Sequence, residues 1–207
     1  MKLFKSIVLG SVLAATGILS ANFLEDAAFA GDREQWYKPA LAENIEQWYK
    51  LSRKCITREE IIEAQNTWGN AIVDIGKASQ NGGDARGLAE ETVDNLYAYD
   101  EGNVLFKPTL ASEQQFRLTE EDALSYFVGG DIPEDSGFAL RPWSNVRFEN
   151  AAFSLNCKTA LAMGNYFFTD ANTGEETKVE FSFGYIKNKD GKLLIILQDS
   201  SFPFEPE

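Results

Sequence analysis

The polar side chains best placed to do chemistry stand where apolar runs end. Near the C-terminus, Lys192-Leu-Leu-Ile-Ile-Leu-Gln-Asp-Ser-Ser-Phe-Pro-Phe204 sets five consecutive apolar residues, Leu193 to Leu197, before Gln198, Asp199, Ser200 and Ser201. The apolar part reads as a strand buried on both faces. The polar part reads either as that strand leaving the core at the mouth of a pocket or as a strand end in water. Asp199 and Ser201, two residues apart, share one face. Thr109 follows Pro108 at the end of an earlier strand, and Tyr126 lies among the apolar residues of a helix. These residues offer a pocket hydroxyl groups, which hold water or an anion, and one carboxylate, a candidate general base. Each also has a plainer role: Thr109 as a turn cap, Tyr126 as a core tyrosine with a bonded hydroxyl, Asp199 as a solvated strand end.

The composition narrows the chemistry. The 207 residues contain no histidine and two cysteines. A His-ligated zinc, a Ser-His-Asp triad, a Cys-His dyad and an all-thiolate zinc site are therefore excluded. A formal charge of −13 without any basic cluster speaks against nucleic acid as a partner. The length suits one domain with a core, plus tails.

Residues 1–30 read as an export signal peptide. Lys2 and Lys5 form a basic start, Ile7 to Leu19 is an apolar run too short to span a membrane comfortably, and Ala28-Phe29-Ala30 is a small-x-small cleavage pattern. Leu19-Ser20-Ala21 is an earlier cleavage candidate. The mature protein is then exported, periplasmic or in a thylakoid or plastid compartment, with no stable membrane anchor. In an oxidising compartment Cys55 and Cys157 can pair, or both stay as buried thiols. Residues 31–56 carry Glu34-Gln-Trp-Tyr-Lys38 and its copy Glu46-Gln-Trp-Tyr-Lys50, an N-terminal helical arm that packs on the domain or on a partner subunit.

The domain proper is expected over 57–207. Thr57-Arg-Glu-Glu60 is a capping box, and Ile61, Ala64, Trp68, Ile72 and Ile75 then recur at helical spacing. Asn81-Gly-Gly83 ends this helix, and Asp84 caps a second one with Leu88, Val93, Leu96 and Tyr97 inward. Asn103 to Thr109 is a short strand that lies at an edge or ends at Pro108, which donates no ladder hydrogen bond. Thr119-Glu-Glu-Asp122 caps a third helix carrying Ala123, Leu124, Tyr126 and Phe127. From Trp143 on, the pattern is strands joined by short turns: a meander, with a bend or bulge expected at Gly164. Val179, Phe181, Phe183 and Tyr185 alternate onto one face. No βαβ alternation occurs, so no parallel sheet is expected. The class is α+β, a curved antiparallel sheet with helices on its concave side, forming a cone whose inside is a pocket.

Four stretches in order carry a resemblance to a known family: Trp68-Gly-Asn-Ala-Ile-Val-Asp-Ile-Gly76, Leu96-Tyr-Ala-Tyr-Asp-Glu-Gly-Asn-Val-Leu-Phe-Lys-Pro-Thr109, Ser125-Tyr-Phe-Val-Gly-Gly130 and Val146-Arg-Phe-Glu-Asn150. Over roughly 57–204 the chain resembles the iota-class carbonic anhydrases. These are SnoaL-like proteins of the nuclear-transport-factor-2-like superfamily, related to the association domain of calmodulin-dependent kinase II. The resemblance implies metal-independent, reversible hydration of carbon dioxide to bicarbonate, without cofactor, by a homodimer. It carries the family's pocket threonine onto Thr109, its tyrosine onto Tyr126 and its final serine onto Ser201. The family's His-rich run falls on Leu197-Gln-Asp-Ser-Ser201, where every histidine is replaced and the last becomes Asp199. Phe106, Phe127 and Phe138 are then the apolar wall for carbon dioxide, with Ser200 beside the anion. The rival reading is a non-catalytic binding or assembly module of the same cone, which the loss of the histidines favours. A third is a SnoaL-like enzyme acting on a larger hydrophobic substrate, which pocket volume separates from the first.

Overall fold

The computed structural model describes residues 55–206, all within one unit, Lys50–Glu207. The expected signal peptide and nearly all of the N-terminal arm lie outside the described residues. Among these, three α-helices precede most of a five-stranded sheet: α1 (Arg58–Gln80), α2 (Ala85–Leu96), β1 (Leu105–Lys107), α3 (Glu120–Val128), β2 (Trp143–Leu155), β3 (Thr159–Asp170), β4 (Glu176–Lys187) and β5 (Leu193–Ser201). A short 3₁₀ turn, Phe138–Leu140, leads into β2.

The helix starts follow local chemistry. The Thr57 hydroxyl accepts from the Glu60 N–H at 3.2 Å while the Glu60 carboxylate accepts from the Thr57 N–H at 2.9 Å. Thr119 and Asp122 repeat this reciprocal cap on α3, and Asp84 caps α2 through the Gly87 N–H at 2.8 Å. Each satisfies backbone donors that the first helical turn leaves orphaned. The apolar stripe of α1 is buried at Ile61, Trp68, Ile72 and Ile75. On α2, Val93 is buried and Tyr97 follows buried at the cap, but Leu88 is exposed rather than inward.

Sheet order is β1-β5-β4-β3-β2. β2 to β5 form the expected antiparallel meander. β1 is indeed an edge strand, but it pairs parallel with β5, Phe106 opposite Gln198. The meander strands are antiparallel throughout, and this one strand makes the sheet mixed. The intervening chain from β1 to β5 crosses the whole meander, which lets the two strands run the same way without a βαβ unit. The expected irregularity at Gly164 is a register shift in its partner: Asn150 faces Gly164 while Ala152 faces Met163, leaving Ala151 over.

Helices cover one face of the sheet. α1 lies against β2, and two glycines permit the approach. A Cβ on Gly69 would come within 3.1 Å of the Val146 Cβ, and one on Gly76 within 2.6 Å of the Arg141 carbonyl oxygen. Trp68 is the hub of the core between these layers. Its ring meets Phe127, Phe148, Tyr166, Phe168 and Phe183 at centroid distances of 5.8 to 6.5 Å. The covered face also receives Val179, Phe181, Phe183 and Tyr185, as their alternation requires. Cys55, just before α1, is disulfide-bonded to Cys157 at the β2–β3 turn, closing a separation of 102 residues.

Candidate active site

A small cavity opens where β1, β5, β3 and α3 meet. Trp68, Phe106, Pro108 and Phe138 make its apolar wall. Thr109, Tyr126, Tyr166, Gln198 and Ser200 supply its polar groups. Its free volume is about 10 Å³, room for about one water molecule.

The cavity therefore brings together Thr109 and Tyr126 with Phe106, Phe138 and Ser200, as the sequence suggested. Phe127 is buried but stands one layer back, stacked on Phe106 at 5.7 Å and edge-on to Tyr126. Asp199 and Ser201 do not reach the cavity. Both lie on the opposite, uncovered face of the sheet, where Asp199 pairs with Lys107 at 3.3 Å, half exposed, and the Ser201 hydroxyl donates to Glu180 at 3.3 Å. The placement of Asp199 and Ser201 among the pocket residues is thus corrected.

One bulge explains the reversal. Leaving the turn, β4 and β5 pair as Lys187 with Leu193 and Tyr185 with Ile195. Continued regularly, that ladder sets Asp199 opposite the inward Phe181 and turns it into the core. Instead the register shifts after Tyr185, so that Gly184 faces Leu197, Phe183 faces Gln198 and Phe181 faces Ser200. Ile196 is the extra residue, and a slip of one residue exchanges the two faces. Gln198 and Ser200 are consequently buried, while Asp199 and Ser201 are exposed.

Four participants escaped the sequence reading: Tyr166, Gln198, Tyr97 and Trp68. The Trp68 indole N–H donates to the Tyr97 hydroxyl at 2.7 Å, and that hydroxyl donates to the Gln198 Oε1 at 2.5 Å. The Tyr166 hydroxyl sits 2.5 Å from the Ser200 Oγ, and the neighbouring Gln198 and Thr109 side chains oppose the rise in its pKa. Tyr166 lies in β3 three positions from Met163, and nothing in the alternation of β3 alone separates it from Phe168 as a polar contributor. The signal that exists is in the polar end of β5, read with the bulge.

The phenols are donors at neutral pH. Burial pushes the Tyr166 hydroxyl up to about 12, against the opposing help of Ser200, Gln198 and Thr109. Burial likewise raises Tyr126, with Tyr166 adding to the shift and the Leu110 backbone hydrogen bond opposing it. Burial raises Tyr97 well above its ordinary value. Among the described residues no carboxylate lines the cavity. It is a neutral nest of hydroxyl and amide groups beside an aromatic wall, suited to a small apolar molecule that becomes an anion.

The loop after Thr109 is fixed from outside. The Glu134 carboxylate accepts from the N–H groups of Ser112, Glu113 and Gln114 at 2.8, 3.1 and 2.9 Å, and from the Ser112 hydroxyl at 2.8 Å. These bonds, the Ser112 N–H foremost, hold its carboxyl down at about 2. Arg117, fully buried, pairs with the equally buried Asp135 at 2.7 Å, and its backbone N–H donates to the Phe106 carbonyl at 2.8 Å. The segment between Thr109 and Tyr126 is thereby pinned at residues 112–114 and again at Arg117.

Comparison with known proteins identifies the family. Residues 59–202 match the family model described as metal-independent carbonic anhydrase. The chain is 44% identical over 165 residues, 75% of its length and 78% of the relative's, to the metal-independent carbonic anhydrase of Nostoc sp. (strain PCC 7120). Among solved structures it is similar to a cyanobacterial iota-carbonic anhydrase complexed with bicarbonate, at 43% identity and a TM-score of 0.71, covering 74% of this chain and 96% of that one. An NTF2-like protein with a cystatin-like fold from Novosphingobium aromaticivorans gives 12% identity and a TM-score of 0.49, over 80% of this chain and 90% of that one.

Proposed function

The chain belongs to the metal-independent carbonic anhydrase family, and on that premise we propose that it hydrates carbon dioxide reversibly in the cavity built by Thr109, Tyr126, Tyr166, Gln198 and Ser200. The observation that carries this site is the convergence of these five neutral polar groups on a water-sized space against Phe106 and Phe138.

Carbon dioxide is apolar and rests against the aromatic wall. Water attacks its carbon, a C–O bond forms, one C=O π pair moves onto oxygen, and a proton leaves. The hydroxyls donate to the oxygen that gains charge, the kind of preorganised stabilisation that is worth about 3 kcal/mol per donor. No lining carboxylate repels the bicarbonate produced. Asp199, on the far face beside Lys107, neither acts as the base nor opposes the anion. The water's proton passes to solvent or buffer, since no lining group is an imidazole or a carboxylate.

The cavity is far too small for a larger hydrophobic substrate, and with room for about one water molecule its lining must give way even for carbon dioxide and the attacking water. The binding-module reading, which rested on the replaced histidines, loses weight because the face-reversing bulge sets Gln198 and Ser200, not Asp199, toward the site. A homodimer completes the proposal, supported by the apolar residues on the uncovered sheet face. So does export to a periplasmic or thylakoid-type compartment, supported by residues 1–30 and by the Cys55–Cys157 disulfide.

Stopped-flow hydration of carbon dioxide by the chain, with and without EDTA, tests the function. Equal rates in both, rising with buffer concentration as the buffer takes the proton, are expected. No hydration at any buffer concentration would refute it, and loss of activity in EDTA would overturn its metal independence.

A further inference from the structure

The indole N–H of Trp68 can only donate a hydrogen bond, and this fixes the sense of every bond behind the cavity. Because Trp68 donates to the Tyr97 hydroxyl, that oxygen is an acceptor there and its own proton must go elsewhere. Tyr97 is 2% exposed, so water does not take it. The Gln198 amide oxygen, 2.5 Å away, does. The opposite amide orientation would point the NH₂ at Tyr97 and strand the Tyr97 proton in the core, an arrangement that buried polar groups avoid. With its oxygen committed to Tyr97, the amide has only its NH₂ left for the cavity that Tyr166 also lines, and there the Gln198 side chain acts on the Tyr166 hydroxyl as a donor does, opposing the rise in its pKa. Tyr166 then accepts from Gln198, and of the two senses open to its 2.5 Å bond with Ser200, the one in which Tyr166 donates leaves the Ser200 proton for the substrate.

We propose that Tyr97 and Gln198 are positioning residues in a one-way hydrogen-bond chain, Trp68 to Tyr97 to Gln198 to Tyr166 to Ser200. By taking up the Ser200 lone pair, the chain leaves the Ser200 hydroxyl proton directed at the oxyanion of the substrate. Nothing in the chain titrates near neutrality, so the sense is constant across the working pH range. The bulge at Ile196 is what makes the chain continuous, because it brings Gln198 and Ser200 onto the face that Tyr166 and Tyr97 share. The role in catalysis rests on the proposed hydration of carbon dioxide, whereas the sense of the chain does not.

Two measurements separate these layers. Neutron diffraction from the deuterated chain shows the sense directly. A deuterium on Gln198 Nε2 toward Tyr166, and one on Tyr97 Oη toward Gln198 Oε1, are expected. The amide reversed overturns the proposal, whether or not the wild type hydrates carbon dioxide.

Kinetics of Gln198→Glu and Gln198→Met then read the role. The introduced carboxylate still accepts from Tyr97 but can only accept from Tyr166, which turns the Tyr166 proton away from Ser200. At pH 8 kcat/KM is expected to fall about tenfold or more in both variants. As pH falls and the introduced carboxylate gains a proton it can again donate, so the ratio of Gln198→Glu to wild-type rate rises, while the ratio for Gln198→Met stays flat. A space-filling role gives two flat ratios, and that result, or wild-type rates in Gln198→Glu at pH 8, refutes the positioning role. Should Gln198→Glu fail to fold, Tyr97→Phe, which keeps the ring and cuts the chain, must show the same fall, and a wild-type rate there refutes it equally. A wild type without hydration sinks the proposed function alone and leaves the neutron result to decide the chain.

Discussion

At the scale of single residues, the site works through neutrality. Its phenols are pushed up by burial and stay protonated, so each acts as a donor without adding charge. In the proposed reaction a bicarbonate ion therefore meets hydrogen-bond donors and, among the described residues, no repelling carboxylate. Ser200 and Ser201 are the sharpest comparison, adjacent in sequence and on opposite faces. Ser200→Ala is expected to lower kcat/KM by roughly a hundredfold, as loss of one oxyanion donor does, with the fold intact because only the 2.5 Å bond to Tyr166 is lost. Ser201→Ala and Asp199→Asn are expected to leave kcat/KM within about twofold, since exposed pairs of this kind contribute little. Stopped-flow rates for the three variants check this, and the reverse ranking would show that the pocket is on the other face. The types of these residues were legible in the sequence, and Thr109 and Tyr126 could be named from it. The face on which the end of β5 displays its polar groups was not, because one extra residue at Ile196 decides it and the glycine beside it, Gly184, lies on the partner strand rather than in β5.

At the scale of elements, the site depends on the segment between β1 and α3. Its anchor is Glu134, a side chain from a separate loop that collects three consecutive N–H groups and a hydroxyl. Those bonds need the ionised carboxylate. Its folded pKa, about 2, lies below the ordinary Glu value of about 4.3. A depressed carboxyl stabilises the fold above the unfolded value and loses that contribution as pH falls through the folded one. Stability is thus expected to decline between roughly pH 4.3 and pH 2. Glu134→Gln, which keeps one acceptor and cannot titrate, is expected to be less stable at pH 7 and to show a shallower acid limb. Thermal melts from pH 7 to pH 2 check this, and parallel curves for the two proteins would dismiss Glu134 as the acid-sensitive anchor. The helices themselves could be read ahead of the structure, since the caps at Thr57, Asp84 and Thr119 rest on neighbours three residues away. The Glu134 nest could not, since its partners are about 20 residues apart and join only when the loops fold together.

At the scale of the molecule, the sheet leaves one face uncovered by the described helices. Leu161 and Met163 on β3 are 52% and 53% exposed, and Leu105 on β1 is 58% exposed. Leu197 lies opposite Leu105 on β5, and Phe116 and Leu118 flank the same edge. An apolar face of this kind is the usual mark of a protein contact, and a second copy of the chain is the partner that closed two-fold symmetry supplies most simply. Each copy carries a formal charge of −13, so association sets apolar burial against like-charge repulsion. Burial depends weakly on salt, whereas repulsion between charges more than about 10 Å apart is screened at 0.1 M. The dimer is therefore expected to tighten as ionic strength rises from about 10 mM to about 0.15 M, opposite to an interface held by ion pairs. Sedimentation velocity on the wild type and on a Leu161→Glu, Met163→Glu variant checks both halves. The wild type should sediment as a dimer that strengthens with salt, and the variant as a monomer at the same concentration, since two carboxylates cannot be desolvated there without partners. A wild type that remains monomeric at micromolar concentration, or a variant that still pairs, would place the interface elsewhere or remove it. The cavity proposed to be active lies on the covered side of the sheet, so the variant's mass and its rate of hydration report on the two faces separately.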